Sequence, residues 1–385
     1  METIYMDYNA TTPVREEVLE VMLRVSRECY GNPSSAHLPG RMSKSCLEDS
    51  RRKVAESLGA DASEIVFTNG GSESANLAIK GLAAGRSGGH VITTCIEHAA
   101  VRKSCDFLEN RGFHVSCLPV DRGGCVDPQV IENAIRDDTF LITVMWANNE
   151  AGQIQPVAEI GRIARRHKVV FHTDAVQAFG KIPVDVRQAP VDLLSISGHK
   201  FYGPKGVGAL YVRNGVGLSP AVHGGGQEMG LRSGTENVAA AAAFGEACRL
   251  VLRDIDEVAG RLAVLRDRLE NGILERVPDT RVSGDRARRV PNTTNISFRG
   301  IASGRLIQVL DESGIAVSGA SACASANSEP SAVLMQGMGL TRDEAIGAVR
   351  FSLGRHSEAS HVERVLEILP GVAEELRRGA SGGVA

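Results

Sequence analysis

Lys200 stands in SISGHKFYGPKGVG, just past a short apolar run, bracketed by Ser197 and His199 and followed by Gly203, Gly206 and Gly208. A lysine amine forms Schiff bases with carbonyl cofactors when its site is partly desolvated, and the glycines let backbone approach a ligand closely. Spacing alone leaves two readings open, a covalent lysine and a phosphate-binding loop. Asp174, in KVVFHTDAVQAFGK, ends another apolar run, with Gln177 three residues on. A carboxylate there serves either as a helix cap or as the partner of a protonated ring nitrogen. Pyridoxal phosphate requires that second kind of partner, because a protonated pyridine is the electron sink for a substrate carbanion. Lys200 and Asp174 together argue for it more strongly than either residue alone.

A phosphate would need an anion site nearby. FTNGGSESANLAIKG turns through Gly70 and Gly71 into a helical pattern opening near Ser72, where free N–H groups and the helix dipole favour an anion. A plain turn with a Ser cap fits the same letters. The chain has neither GxGxxG nor GxxxxGK[ST], which argues against dinucleotide and nucleoside-triphosphate sites. His98, after HVITTCIE, and Asn149, in MWANNEAG, are ambiguous alone and become ring-stacking or ring-oxygen candidates beside Lys200 and Asp174. Cys323 lies in GIAVSGASACASANSEPS, a run without bulky side chains that reads as a mobile loop bearing a reactive thiol. Arg350, in AVRFSLGR, reads either as a cation ending a helical pattern or as a bidentate clamp for an α-carboxylate.

The elements that must carry these residues are legible as alternation. Short β-rich runs (EIVFT, HVITTCIE, HVSCLPV, TFLITVMW, KVVFHTDA, VDLLSISGHK, GALYVR) are mostly separated by helical patterns, which predicts a mostly parallel sheet covered on both faces. From Thr235 to Val277 the pattern is one long amphipathic helix. Beyond about Arg281, NTTNISF, GRLIQVLDESG, DEAIGAVRFSLG and HVERVLEILPGVAEEL alternate again in a smaller α+β unit, and the tail RRGASGGVA is expected to be flexible. The expected organisation is a large α/β domain over residues 14–255 and a small α+β domain made of 1–13 and 256–385.

Composition narrows the partners. With 385 residues, 43 Lys+Arg against 46 Asp+Glu and a net charge of -3, the chain has no global basic field for nucleic acid or an anionic membrane, so a small molecule is the expected partner. No apolar stretch approaches the ~20 residues of a spanning helix. Glu2 and Asp7 occupy the stretch where a secretory leader would be basic and then apolar, which makes the cytoplasm the expected compartment. Eight cysteines show no CxxC pair and no zinc-finger spacing, so no metal site is expected.

The assembled segments resemble the NifS/IscS-type cysteine desulfurases, pyridoxal-phosphate enzymes of fold type I in the class V aminotransferase family. The resemblance runs nearly end to end, through DYNATTP at Asp7, GNPSSAHLPGR at Gly31, GGSES at Gly70, EHAA at Glu97, NNEAG at Asn148, HTDAVQAFGK at His172, SGHKFYGPKGVG at Ser197, RSGTEN at Arg232, SACAS at Ser321 and RFSLGR at Arg350. It implies that Lys200 carries the cofactor, His98 stacks on its ring and moves protons, and Asp174 holds the ring nitrogen. Asn149 and Gln177 would address the ring hydroxyl, and Gly71, Ser72, Ser197 and His199 the phosphate. Thr235 would reach the phosphate from a partner subunit, making a homodimer. Asn32 and Arg350 would take the carboxylate of L-cysteine, and Cys323 would accept its sulfur as a persulfide for transfer to an acceptor protein of unknown identity, in iron–sulfur cluster assembly or thio-modification.

Three departures from the family pattern stand out. Ser72 replaces the usual Thr, Ala320 replaces a Gly three before the active cysteine, and the tail LRRGASGGVA lacks the apolar extension with which IscS-type members dock an iron–sulfur scaffold. The strings DYNATTP, HKFYGP, GGGQE and GTEN are also similar to selenocysteine lyases, the runner-up activity. A non-catalytic sulfur-carrier relative would not need Lys200, Asp174 and Cys323 together.

Overall fold

The computed structural model describes residues 3–319 and 331–381. Cys323, Ser321 and Ala320 lie outside the described residues.

Seven strands form the main sheet, in the spatial order Ile65–Thr68, Gly208–Val212, Leu193–Ser197, Val170–Asp174, Thr139–Thr143, His90–Thr94, His114–Leu118. All run parallel except Gly208–Val212, which is antiparallel to both its neighbours. The inner strands are almost wholly buried because both faces are covered, and they combine large apolar residues with buried Thr, Ser, His and Asp. Leu193, Leu194 and Ile196 are each fully buried. One face packs against Val54, Leu58 and the alanine-rich start of the long helix Val238–Arg276. The other packs against helices Gly71–Ala83 and Ala99–Glu109.

The long helix belongs to two cores in turn. Its first half, through Cys248 and Val251, lies in the main core, and its second half, from Leu262 to Ile273, packs with Met6, Ile296, Phe298 and Leu369. There an antiparallel sheet runs in the order Ser318–Gly319, Ala348–Ser352, Thr293–Phe298, Thr280–Val282. The N-terminal strand Ile4–Tyr5 crosses over to pair in parallel with Ile315–Ala316.

Two sequence expectations change here. Arg350 does not end a helical pattern: the helix Arg342–Ile346 is one short turn opened by a Thr341/Glu344 capping box and ended at Gly347, and Arg350 sits in the middle of strand Ala348–Ser352. The tail is helical further than expected, with Ala359–Ser381 one helix and Arg377 donating to the carbonyls of Arg299 and Pro278. Those two bonds anchor a turn whose composition alone would fray.

The functional consequence of the topology is local. Gly70, His98, Asn149, Asp174 and Lys200 all lie at or just beyond the carboxyl ends of strands of the main sheet, the edge at which open α/β sheets bind ligands.

Candidate active site

Strand Leu193–Ser197 runs into a single 3-10 turn, Gly198–Lys200, that lifts the lysine off the sheet edge. Lys200 Nζ donates to the carbonyls of Asn9 at 2.7 Å and Ala10 at 2.9 Å. The N-terminal segment therefore crosses directly over the lysine. His199 is tied to the same segment through Thr11 Oγ1 at 3.2 Å, and its carbonyl accepts from the Thr12 amide and hydroxyl. Burial, then Lys200 and Lys205, push the His199 imidazole down to about 4, so it is uncharged at neutral pH.

Asp174 closes strand Val170–Asp174 and is 7 % exposed. Its Oδ1 accepts the Val176 amide at 3.0 Å in a short turn, and no helix starts there, so the carboxylate is not the helix cap that was one of its two readings. The same carboxylate faces the cavity. Burial raises its pKa, with His98, the Val176 amide and Lys200 acting against the rise. A cation placed against it would relieve that desolvation. Beneath it, His172 is buried between Thr143 Oγ1 at 2.8 Å and Ser195 Oγ at 2.9 Å. Burial drives its pKa to about 3, which makes it an uncharged strut.

The helix Gly71–Ala83 begins at Gly70, whose φ of +142° is glycine territory. A Cβ on Gly71 would stand 2.6 Å from Val176 Cγ2, so the turn and the strand end carrying Asp174 fit only because that position is bare. His98 caps helix Ala99–Glu109, its Nδ1 accepting the Ala100 amide at 3.1 Å.

These residues converge. Gly71, Ser72, His98, Asn149, Asp174, Gln177, Ser197, His199 and Lys200 line one cavity of about 240 Å³, together with Met145, Ala147 and Val176. Arg350 stands at its edge: it is 1 % exposed, with Nη1 donating to the Asn149 carbonyl at 2.8 Å and Nη2 to Asp7 Oδ1 at 2.7 Å. Its Nε has no hydrogen-bond partner among the described residues. Thr235 and Asn32 are exposed and outside the cavity lining. Asn32 Oδ1 accepts the Ser34 amide instead.

Four residues of this neighbourhood were not singled out from the sequence. Asn9 supplies a main-chain carbonyl, which no side-chain type announces. Lys181 is buried against Asn9 and Gln177, and a lysine in the apolar run AFGKIP was the available signal. Glu97 is fully buried, with Oε1 accepting from Thr94 Oγ1 at 2.6 Å and the Met145 amide at 2.9 Å, and burial pushes its pKa up to about 8. Glu150, pushed up to about 7 by burial, accepts from Ser331 Oγ at 2.6 Å.

An amine, a buried carboxylate, a helix start with bare glycine and an imidazole around one cavity suit a ring that bears a phosphate and a carbonyl. The fit can be tested on the donors themselves: the buried Asp174 carboxylate calls for a cationic partner, and a pyridinium nitrogen is one.

Comparison with known proteins agrees. The class-V aminotransferase family model matches residues 4–365. A relative in Methanosarcina thermophila, "Cysteine desulfurase IscS", is 48 % identical over 378 residues, covering 98 % of this chain and 93 % of that protein. The solved structure of a "NifS-like protein" superposes with a TM-score of 0.91 at 39 % identity, over 97 % of this chain and 100 % of the other. That of "SspA in complex with cysteine" gives 0.81 at 40 % identity, over 91 % and 99 %. The chain belongs to the class-V aminotransferases, in the branch of the pyridoxal-phosphate-dependent NifS/IscS-type cysteine desulfurases.

Proposed function

We propose that this chain is a cysteine desulfurase that takes sulfur from L-cysteine, releases L-alanine and carries the sulfur as a persulfide on Cys323. The observation that supports it most is the shared cavity of Lys200, Asp174, Gly71 and Ser72 in a chain whose relatives bear that name over nearly its whole length.

Lys200 would hold pyridoxal phosphate covalently, with Gly71, Ser72, Ser197 and His199 around the phosphate. Asp174 would keep the ring nitrogen protonated, His98 would stack on the ring, and Asn149 and Gln177 would address its hydroxyl. When bound, the cofactor supplies an electron sink for the pair left at the substrate α-carbon. Arg350, with Asn32, would orient the substrate carboxylate, and Lys200, once displaced by the substrate amine, would move the α-proton. The Cys323 thiolate then forms an S–S bond to the substrate sulfur as the carbon–sulfur bond breaks. Protons returned by Lys200 and His98 complete L-alanine, and the persulfide passes to an acceptor protein.

Support for Cys323 comes from the described residues that flank it. Ser318 pairs with Arg350 in the small sheet, and Ser331 bonds Glu150, one residue from Asn149. Three residues lie between Gly319 and Cys323, so the chain spans up to ~14 Å from one to the other.

A homodimer is part of the proposal. Tyr30, Leu38, Met42 and Met229 are exposed apolar side chains. A groove of about 450 Å³ is bordered by Pro33 and Ser34, beside Asn32, and by Glu236, beside Thr235. A second copy covering this face would bring Thr235 and Asn32 to a site from which the single chain leaves them out. We also propose the domain division at about residue 255, which the passage of the long helix from one core to the other supports. No helix among the described residues is long and apolar enough to cross a membrane, and a cytoplasmic location belongs to the same reading.

The names of the relatives favour sulfur over selenium. The test is alanine formation by the holoprotein from L-cysteine and, separately, from L-selenocysteine. Turnover of L-cysteine supports the desulfurase, whereas turnover of L-selenocysteine alone moves the assignment to the lyase.

A further inference from the structure

Lys181 is 8 % exposed and lies four residues beyond Gln177, in a turn rather than a helix. Its amine donates to Asn9 Oδ1 at 2.7 Å and to Gln177 Oε1. Gln177 Nε2 in turn donates to the Asn9 carbonyl at 3.0 Å, the same oxygen that accepts Lys200 Nζ at 2.7 Å. Two lysines thus meet through one asparagine and one glutamine, and the ring of contacts closes on the amine at the centre of the proposed chemistry.

We infer that Lys181 is a positioning residue: by holding Gln177 Oε1 and the Asn9 side chain, it fixes the Gln177 amide with its N–H side toward Lys200 and the cavity. The inference rests on the cofactor reading above. Flipping the amide would set Nε2 against the Lys181 amine and Oε1 against the Asn9 carbonyl, losing two hydrogen bonds in a buried place. One Nε2 hydrogen goes to Asn9, which leaves the other for the cavity that Gln177 lines. Asn9 is braced from the far side too, its Oδ1 accepting from Asn292 Nδ2 at 3.2 Å.

Lys181 is suited to this work and not to an ion pair, since its hydrogen-bond partners are uncharged oxygens. Burial, then Lys200 and Arg350, pull its pKa well down. Ammonium and free amine both donate, so the amide is held in either form.

A donor aimed at the hydroxyl oxygen of the bound ring favours the form in which that oxygen carries full negative charge. It therefore lowers the apparent pKa of the cofactor–lysine chromophore. The other charged or titratable groups facing that site are Asp174, His98, His199, and Arg350 with its partner Asp7. None of them is bonded to Lys181.

The experiment is a spectroscopic pH titration of the resting holoprotein, with Lys181→Met, Gln177→Ala and the double variant. Lys181→Met is expected to raise the apparent pKa of the visible band by about one unit, the size of a hydrogen bond to a charged oxygen. Gln177→Ala should raise it similarly, and the double variant no further, because Lys181 acts through Gln177. Lys181→Gln keeps a donor and should shift the band less; it also replaces the Met variant if circular dichroism finds that one unfolded. An unshifted Lys181→Met band, or shifts that add in the double variant, overturns the inference and leaves the cofactor reading standing. Absence of the band in the parent protein overturns both.

Discussion

Arg350 and Asp7 form an ion pair at 2.7 Å, with the guanidinium 1 % and the carboxylate 19 % exposed. A residue of the N-terminal segment therefore holds the cation proposed to receive the substrate carboxylate. Asp7→Asn keeps the shape and removes the charge, so the guanidinium loses its fixed orientation. The expected result is a KM for L-cysteine raised roughly 10-fold with kcat changed by less than about 3-fold, the pattern of lost uniform binding. A kcat loss with KM unchanged would place Asp7 in the chemistry instead.

Lys200 and Asp174 separate by readout. Lys200→Ala should abolish cofactor that borohydride can fix to the chain, whereas Asp174→Asn should leave it fixable and lower kcat by on the order of 10²-fold or more, as expected when a preorganised charge partner is lost. Reductive labelling at another lysine would refute the assignment of Lys200.

Gly71→Ala places a methyl group where Val176 Cγ2 would be 2.6 Å away. Since the Val176 amide bonds Asp174, the clash should reach the carboxylate and weaken pyridoxal-phosphate affinity by about 10-fold, on the scale of small-to-large strain of 1–3 kcal/mol. Val176→Ala in the same chain should restore most of the affinity. Equilibrium dialysis of the cofactor measures both.

Glu97 and Glu150 are buried acids raised to about 8 and about 7. The folded state favours their protonated forms, so the stability they contribute is complete below the ordinary glutamate pKa. It is lost as the pH rises through 7 and 8. Glu97→Gln and Glu150→Gln should therefore gain in melting temperature relative to the parent as the pH is raised across that window. Parallel melting curves at every pH would contradict the burial argument.

What was legible in the sequence follows from physics that acts locally. Apolar runs punctuated by helical patterns reported the parallel sheet, and chemistry-bearing residues just past those runs had to land on one sheet edge. Lys200, Asp174, Gly71 and His98 line one cavity for that reason. Arg350 was misplaced because DEAIGAVRFSL carries a helical turn and a strand in quick succession, and only Gly347 divides them. Asn9 was missed as a site residue because its contribution to Lys200 is a carbonyl. Lys181 depended on contacts from an N-terminal segment more than 170 residues away in sequence, which no local pattern encodes. Asn32 and Thr235 were named through family resemblance, and the single chain leaves both outside the cavity.

In the proposed reaction the sulfur of L-cysteine becomes a persulfide on Cys323. The direct measurement is peptide mass spectrometry of the holoprotein after L-cysteine, in the parent and in Cys323→Ser. A mass gain of one sulfur atom is expected on the Cys323 peptide of the parent. In the variant, cofactor colour and borohydride fixation persist, but neither the gain nor L-cysteine-dependent sulfide remains, since a hydroxyl is too poor a nucleophile toward sulfur. Undiminished desulfurase activity in Cys323→Ser, or the added sulfur on any of the other seven cysteines, would contradict it.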